Sequence, residues 1–322
     1  MPKKLHIALL LGGTSSERKV SLKTGEQIFK YLDRKKYFVK KYDPKFDLEK
    51  ISKKSKEIDL AFLALHGKVG EDGTIQKWLE SNNIFYTGSG VKASSLAMDK
   101  IASKKIFLKN KILTPEFKVL KKFGKNPRDP SVVPISSGLL QDDIHSLRVI
   151  KPSDSGSSVG VSIVKKQSQI KPALKKAFKE SEKVIVEKFI NGLELSVPIL
   201  GDKALPVIEI IPKTEFFDYQ AKYIPAFCKE IVPARISSIL TKKAQEIALK
   251  AHQSLFCRGY SRVDMILDKQ GRIWVLEVNT LPGLTANSLV PKSAKAAGIE
   301  FQALLDEIIK LSSSSVLLSR PK

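Results

Sequence analysis

Cysteine is nearly absent from this chain. Cys228 and Cys257 are the only two in 322 residues. They have neither metal-site spacing nor a paired framework, so a reducing compartment is their natural setting. No neighbouring motif marks either thiol as a nucleophile. Long apolar runs are also lacking. None approaches the roughly 20 residues that a membrane span needs, and the stretch 5–11 ends in Gly12-Gly13 without a cleavage-site pattern. A soluble, cytoplasmic protein with no membrane partner is expected. Acidic residues are scarce beside basic ones, 33 against 56, for a formal net charge of +23. Such an excess suits a polyanionic partner such as nucleic acid. The lysines are spread along the chain, however, without the interleaved aromatics of a single-strand groove or any recognition motif. Charge alone therefore supports a basic nucleic-acid-binding protein, and no nucleic acid is expected as a partner. No GxxxxGK[ST] loop occurs, which disfavours a P-loop NTPase.

What is present is ample apolar material, 42% of residues, enough for a packed core in two or three domains. From residue 5 the chain alternates strand and helix. An apolar strand and the Gly12-Gly13 turn lead into a helical stretch bearing Val20, Ile28, Phe29 and Leu32. A second strand at 59–65 is continuously apolar, as parallel strands covered on both faces are. The loop HGKVGEDG at 66–73 and a helix around Trp78 follow. This alternation predicts an α/β, doubly wound domain over 1–92, with functional groups past the carboxyl ends of its strands, where Glu17 and His66 fall. One helix is predicted over 93–110. A central domain then runs to residue 190, with strands at 147–151, 161–164 and 184–190. A hinge at Asn191-Gly192 opens a third domain, 191–322, with an irregular stretch at 213–233 and a helix around 244–255.

Near the C-terminus, 261–267 and 272–278 read as strands joined by the turn Asp268-Lys269-Gln270-Gly271. With that turn centred on Lys269 and Gln270, position 264 pairs with 275 and 262 with 277. One face is then wholly apolar: Val263, Met265, Leu267, Trp274, Leu276 and Val278. The other gathers Arg262, Asp264, Glu277 and Asn279 at its open end. Carboxylates this close repel unless they share a cation, and Mg²⁺ takes one or two carboxylates together with phosphate oxygens. The same residues also suit an Arg262–Glu277 surface pair beside a solvated Asp264.

Three further segments have a chemical and an ordinary reading. The small residues of KPSDSGSSVG, 151–160, let successive backbone amides approach an oxyanion beside Lys151, though a plain hairpin turn has the same composition. The strand end at Glu187, Lys188 and Ile190 suits an adenine edge and Glu194 suits ribose hydroxyls, while strand-end charges are commonly solvated. The amide of Gly283 in the Pro282-Gly283 turn, aided by Arg262, suits a tetrahedral oxyanion, or the turn simply leads into a helix near Pro291.

In chain order these segments are LLGGTSSERKVSLKTG (10–25), HGKVGEDG (66–73), MDK (98–100), KPSDSGSSVG (151–160), EKFINGLELSV (187–197), DYQAKY (218–223), RVDMILD (262–268) and EVNTLPGLTANSLVP (277–291). Through them the chain resembles the D-alanine:D-alanine ligases of the ATP-grasp superfamily, which make the dipeptide terminus of peptidoglycan precursors. The resemblance implies an ATP-grasp fold and ATP as a substrate. It also implies two Mg²⁺ ions, for which Mn²⁺ substitutes, on Asp264, Glu277 and Asn279. Lys100, Lys151 and Lys222 would contact ATP phosphates with Ser157 and Ser158. Glu187, Lys188 and Ile190 would lie at the adenine and Glu194 at the ribose, with Phe216 and Leu276 completing the nucleotide site. Glu17, beside Val20 and His66, would hold the first D-alanine and join a network with Ser157 and Tyr223. Arg262 and Gly283 would bind the oxyanion; Ser288 and Leu289 would receive the second carboxylate. The stretch 213–233 would be a lid, and the working form a homodimer. The alternative within the family is a D-alanine:D-lactate ligase, and the pair Lys222-Tyr223 favours an amine over a hydroxyl nucleophile.

Overall fold

The computed structural model describes residues 4–122, 147–156, 158–212 and 228–319, with side chains of the last helix up to 312. Strand β1 (Leu5–Leu10) lies between β2 (Tyr37–Tyr42) and β3 (Leu60–Leu63), parallel to both. Helices α1 (Arg18–Tyr31), α2 (Pro44–Lys53) and α3 (Thr74–Ser81) belong to this unit. The second apolar strand is shorter than the expected 59–65. Strand β2 has no sequence-level counterpart, because only its terminal Tyr37 and Tyr42 are buried and its lysines mask the pattern.

The single helix expected over 93–110 is two: α4 (Val91–Met98) and α5 (Lys100–Lys109). Asp99 takes extended backbone between them, and its carboxylate accepts the N–H groups of Ile101 and Ala102. An N-cap inside a run of good helix formers thus restarts the chain. It sets Lys100 at the first turn of α5, at the edge of the site described below.

A four-stranded antiparallel sheet follows, built from β4 (Phe117–Lys121), β5 (Arg148–Pro152), β6 (Ser162–Val164) and β7 (Lys183–Lys188) in the order β4-β7-β5-β6. Helix α6 (Ile170–Glu180) packs Ala173, Leu174 and Ala177 onto it. The last sheet runs β11-β10-β8-β12-β13 with β9 beside β8. Its strands are β8 (Gly192–Leu200), β9 (Lys203–Ala204), β10 (Ile208–Pro212), β11 (Cys228–Ile231), β12 (Tyr260–Asp268) and β13 (Ile273–Asn279). Helix α7 (Ser238–Ser254) covers one face through Ala244, Ala248 and Ala251, whose small side chains recur on one side of the helix. Helices α8 (Leu289–Ala296) and α9 (Phe301–Ser319) end the described chain. Leu304, Leu305, Ile308 and Ile309 of α9 return to complete the core around β1 and β3.

The β12–β13 register differs from the one the turn implied. A bulge between Asp264 and Met265 sets Asp264 opposite Glu277 and Arg262 opposite Asn279, while Met265 pairs with Val275. The core face is therefore Val263, Met265, Leu267, Ile273, Val275 and Val278. Trp274 and Leu276 do not share it, contrary to the alternation. One extra residue in β13 lets both Leu276 and Glu277 line clefts away from the core.

His252 of α7 is buried, with Nδ1 2.7 Å from Ser261 Oγ of β12. Burial pushes its pKa down to about 4. The unfolded chain takes up this proton near pH 6.5 and the folded chain only near pH 4, so stability is intact above about 6.5 and declines as pH falls through that window. Between neutral pH and about pH 4.5 the loss from this group is about 2.5 kcal/mol. Urea unfolding at the two pH values is expected to show a correspondingly smaller difference in His252→Gln.

Candidate active site

Two clefts meet at one edge. The first, of about 370 Å³, lies between the four-stranded and six-stranded sheets and is lined by Lys151, Ser158, Lys188, Ile190, Glu194 and Leu276. The second, of about 1090 Å³, is lined by Glu17, Val20, His66, Gly283, Ser288 and Leu289. Lys100, Gly156 and Glu277 line both. Asp264 borders the first, Arg262 and Asn279 the second. The fold thus brings together every anticipated site residue that it describes. Ser157, Phe216, Lys222 and Tyr223 lie outside the described residues, as does most of the expected lid; its end, 228–231, is β11.

The N-terminal wall of the larger cleft is set by the turn after β1. Glu17, at the N-cap of α1, is buried. Its N–H donates to Ser15 Oγ at 3.1 Å, and the same hydroxyl donates to the His66 carbonyl at 2.6 Å, tying the two strand ends together. The His66 ring is fixed on both sides, Nε2 lying 3.0 Å from Thr24 Oγ1 and Nδ1 3.4 Å from Glu71 Oε1. Burial raises the pKa of the Glu71 carboxyl above the usual range, and the neighbouring charge of Glu17 adds to it.

Two glycines stand where the walls converge, and only at Gly283 would a Cβ meet a contact closer than van der Waals distance. A Cβ on Gly156 would stand 3.6 Å from Glu17 Oε1, so the Ser/Gly loop closes over the N-terminal wall. A Cβ on Gly283 would meet Ser288 Oγ at 2.8 Å and approach His66 Cε1 at 3.9 Å. The Gly283 backbone is thereby brought close to both the His66 ring and Ser288, the residue preceding α8.

At the shared edge each acid already has a cationic partner. Arg262 grips Asp264 through Nε at 2.9 Å and Nη2 at 2.7 Å, and Ser196 Oγ donates to Asp264 at 2.7 Å. The arginine therefore pairs with Asp264, not with Glu277, and that pair is largely buried. Lys100 Nζ lies 3.3 Å from Glu277 Oε2. Asn279 Oδ1 accepts the Leu281 N–H at 3.0 Å. No group of three or more His, Cys, Asp and Glu suited to a metal occurs among the described residues. The donor set is instead two cross-strand carboxylates and an amide oxygen. Such hard oxygen donors, too few for a closed cage, fit a Mg²⁺ ion that completes its shell with phosphate oxygens and water.

Glu187 lines the smaller cleft with Lys188, Ile190 and Glu194. Its buried carboxylate is turned to two lysines, Lys151 Nζ at 2.6 Å and Lys104 Nζ at 2.9 Å. Although burial pushes its pKa up, Lys151 and Lys104 together hold it below the ordinary carboxylate range. Lys104 is wholly buried and donates to Thr114 Oγ1 at 2.6 Å; its contact with Glu187 Oε2 is an ion pair by distance and leaves that oxygen without a hydrogen bond among the described residues. Burial outweighs Glu187 and lowers the lysine's pKa to about 8. Sequence reasoning passed over Lys104. The available signal was its position one helical turn after Lys100 on α5.

Two antiparallel sheets closing on one cleft, beside a doubly wound parallel sheet, define the ATP-grasp class of ligases. Residues 143–310 match the family described as D-ala D-ala ligase C-terminus, and residues 40–89 match D-ala D-ala ligase N-terminus. The chain belongs to the D-alanine–D-alanine ligase family. It is 46% identical to the D-alanine–D-alanine ligase of Syntrophobacter fumaroxidans over 96% of this chain and 97% of that one. The crystal structure of the Bacillus anthracis D-alanine–D-alanine ligase complexed with ATP superposes with a TM-score of 0.82 at 36% identity, covering 98% of this chain and 100% of that one. The VanG D-Ala:D-Ser ligase of Enterococcus faecalis gives 0.81 at 29% identity, covering 96% and 100%. The fold is thus shared by ligases whose names give different second substrates.

Proposed function

We propose that this chain joins two D-alanine molecules to D-alanyl-D-alanine through a D-alanyl phosphate, releasing ADP and phosphate, for peptidoglycan precursor synthesis. The observation that carries this reading is the junction at Lys100, Gly156 and Glu277, where the two clefts share a wall. A nucleotide's terminal phosphate and an amino acid's carboxylate can meet at that shared wall. Glu17, with Val20 and His66 beside it, anchors the first D-alanine by its ammonium. Lys100 and Lys151 offset phosphate charge as that carboxylate attacks the γ phosphorus. Lys188, Ile190 and Leu276 bound the adenine end, and Glu194 takes the ribose hydroxyls. Ser288, the adjoining amides of α8 and Leu289 receive the second carboxylate, which turns the second amine toward the acyl carbonyl. Arg262 and the Gly283 N–H bind the oxyanion that forms there.

Asp264, Glu277 and Asn279 would hold the two Mg²⁺ ions, or Mn²⁺ in their place, which when bound neutralise the β and γ phosphates. The reading divides the chain at 92 and 190, with α9 completing the first unit's core. It takes the protein to be a cytoplasmic homodimer. The two-cysteine composition agrees with that compartment, and no helix among the described residues is long and apolar enough to cross a membrane.

The test compares D-alanine, L-alanine and D-lactate side by side with ATP and Mg²⁺. ADP release accompanied by D-alanyl-D-alanine, with D-alanine alone, is expected. ADP release without dipeptide, or equal turnover with D-lactate as second substrate at neutral pH, overturns it.

A further inference from the structure

Lys104 lines neither cleft, yet it is fully buried against the carboxylate that also binds Lys151. Lys104, Glu187 and Lys151 carry charges of plus, minus and plus, so the trio presents a single net positive charge. Only Lys151 and Glu187 border the nucleotide cleft. Were Glu187 paired with Lys151 alone, at 2.6 Å, the two would cancel and the cleft wall would be neutral. Burying an extra lysine is costly, and well-packed apolar replacement of buried ions is often neutral or stabilising. Stability alone therefore gives no reason for a lysine here. The second ion pair, 2.9 Å from Lys104 Nζ to Glu187 Oε2, gives an electrostatic one.

We infer that Lys104 is a positioning residue for ATP: by holding Glu187 from behind the wall, it leaves the charge of Lys151 available to the nucleotide's phosphates. Thr114 Oγ1, 2.6 Å from Lys104 Nζ, fixes the lysine in that place, and the Phe117 ring lies 5.5 Å from the same nitrogen. Lys100 makes the corresponding contact at the junction, where its partner is Glu277 at 3.3 Å. The inference rests on the ligase reading insofar as Lys151 is taken to meet phosphate.

Binding of Mg-ADP measured by calorimetry, with ATP KM and kcat from coupled assays, tests it on the full chain. Lys104→Met keeps length and removes charge. It is expected to weaken Mg-ADP binding and raise KM for ATP about tenfold, the size of one weakened charge-assisted contact, while kcat changes less than threefold. In a Glu187→Gln background, where Lys104 has no carboxylate to hold, the same substitution is expected to change ADP affinity less than about threefold relative to Glu187→Gln alone. Unchanged ADP affinity in a folded Lys104→Met protein overturns the inference. So does a tenfold loss that persists in the Glu187→Gln background. If Lys104→Met alone does not fold, the double variant compared with Glu187→Gln decides by the same threefold criterion. Failure of the unaltered protein to bind Mg-ADP would instead remove the ligase reading itself.

Discussion

Glu277→Ala is expected to lower dipeptide synthesis on the order of a thousandfold, the several kcal/mol that a metal-held phosphate charge contributes. The fold should survive. Glu277 retains 28% side-chain exposure and its ion pair to Lys100 is 3.3 Å long, so its removal opens no core cavity. A partly exposed pair of this kind contributes little to stability. Lys100 keeps a second partner, the Ser155 carbonyl at 2.9 Å. ADP release with D-alanine and a thermal melt on the same preparation separate the two effects. Turnover within tenfold of the unaltered enzyme, with an unchanged melting temperature, would show that the hairpin edge does not hold the phosphate-bridging ions. The same substitution bears on both clefts, since Glu277 lines each.

How much of this was legible beforehand depends on the range of the interaction involved. β1, β3 and the β12–β13 ribbon are set by local apolar pattern and were read correctly as strands. The edge strand β2 was not, because its lysines interrupt the alternation. The bulge at Asp264 was equally hidden. No turn residue announces it, and without it a two-residue period assigns Trp274 and Leu276 to the wrong face. The helix break at Asp99 was written in the sequence as an N-cap, but its neighbours are all helix formers and outweighed it. The juxtaposition of Asp264, Glu277 and Asn279 at one end of a hairpin was visible because both strands are adjacent in sequence. Lys104 on α5 and Glu187 on β7 are separated by 83 positions and by β4, β5, β6 and α6. Nothing local in either residue indicates that they meet, so the charge balance at Glu187 was not legible.

That balance makes Glu187 the most sensitive buried position in the nucleotide wall. Glu187→Gln removes the partner of two lysines at once, Lys151 at 2.6 Å and Lys104 at 2.9 Å. Leaving a buried charge uncompensated costs about 3 to 5 kcal/mol. The loss has a ceiling, because Lys104 can shed its proton when its environment becomes too hostile. Its pKa is already lowered to about 8 by burial despite Glu187, and without the carboxylate it falls further. The unfolded chain holds that proton to about pH 10.4, so it binds more protons than the folded one throughout the interval, and folded-state stability rises with pH there. Between about pH 7 and about pH 9 the unaltered protein also begins to lose the Lys104 proton, while the variant has largely lost it at the start. The stability deficit of Glu187→Gln, measured by urea unfolding, should therefore be largest near neutrality and shrink toward pH 9. A deficit below about 1 kcal/mol at neutrality, or one that widens with rising pH, would mean that the two lysines do not depend on Glu187 for their charge.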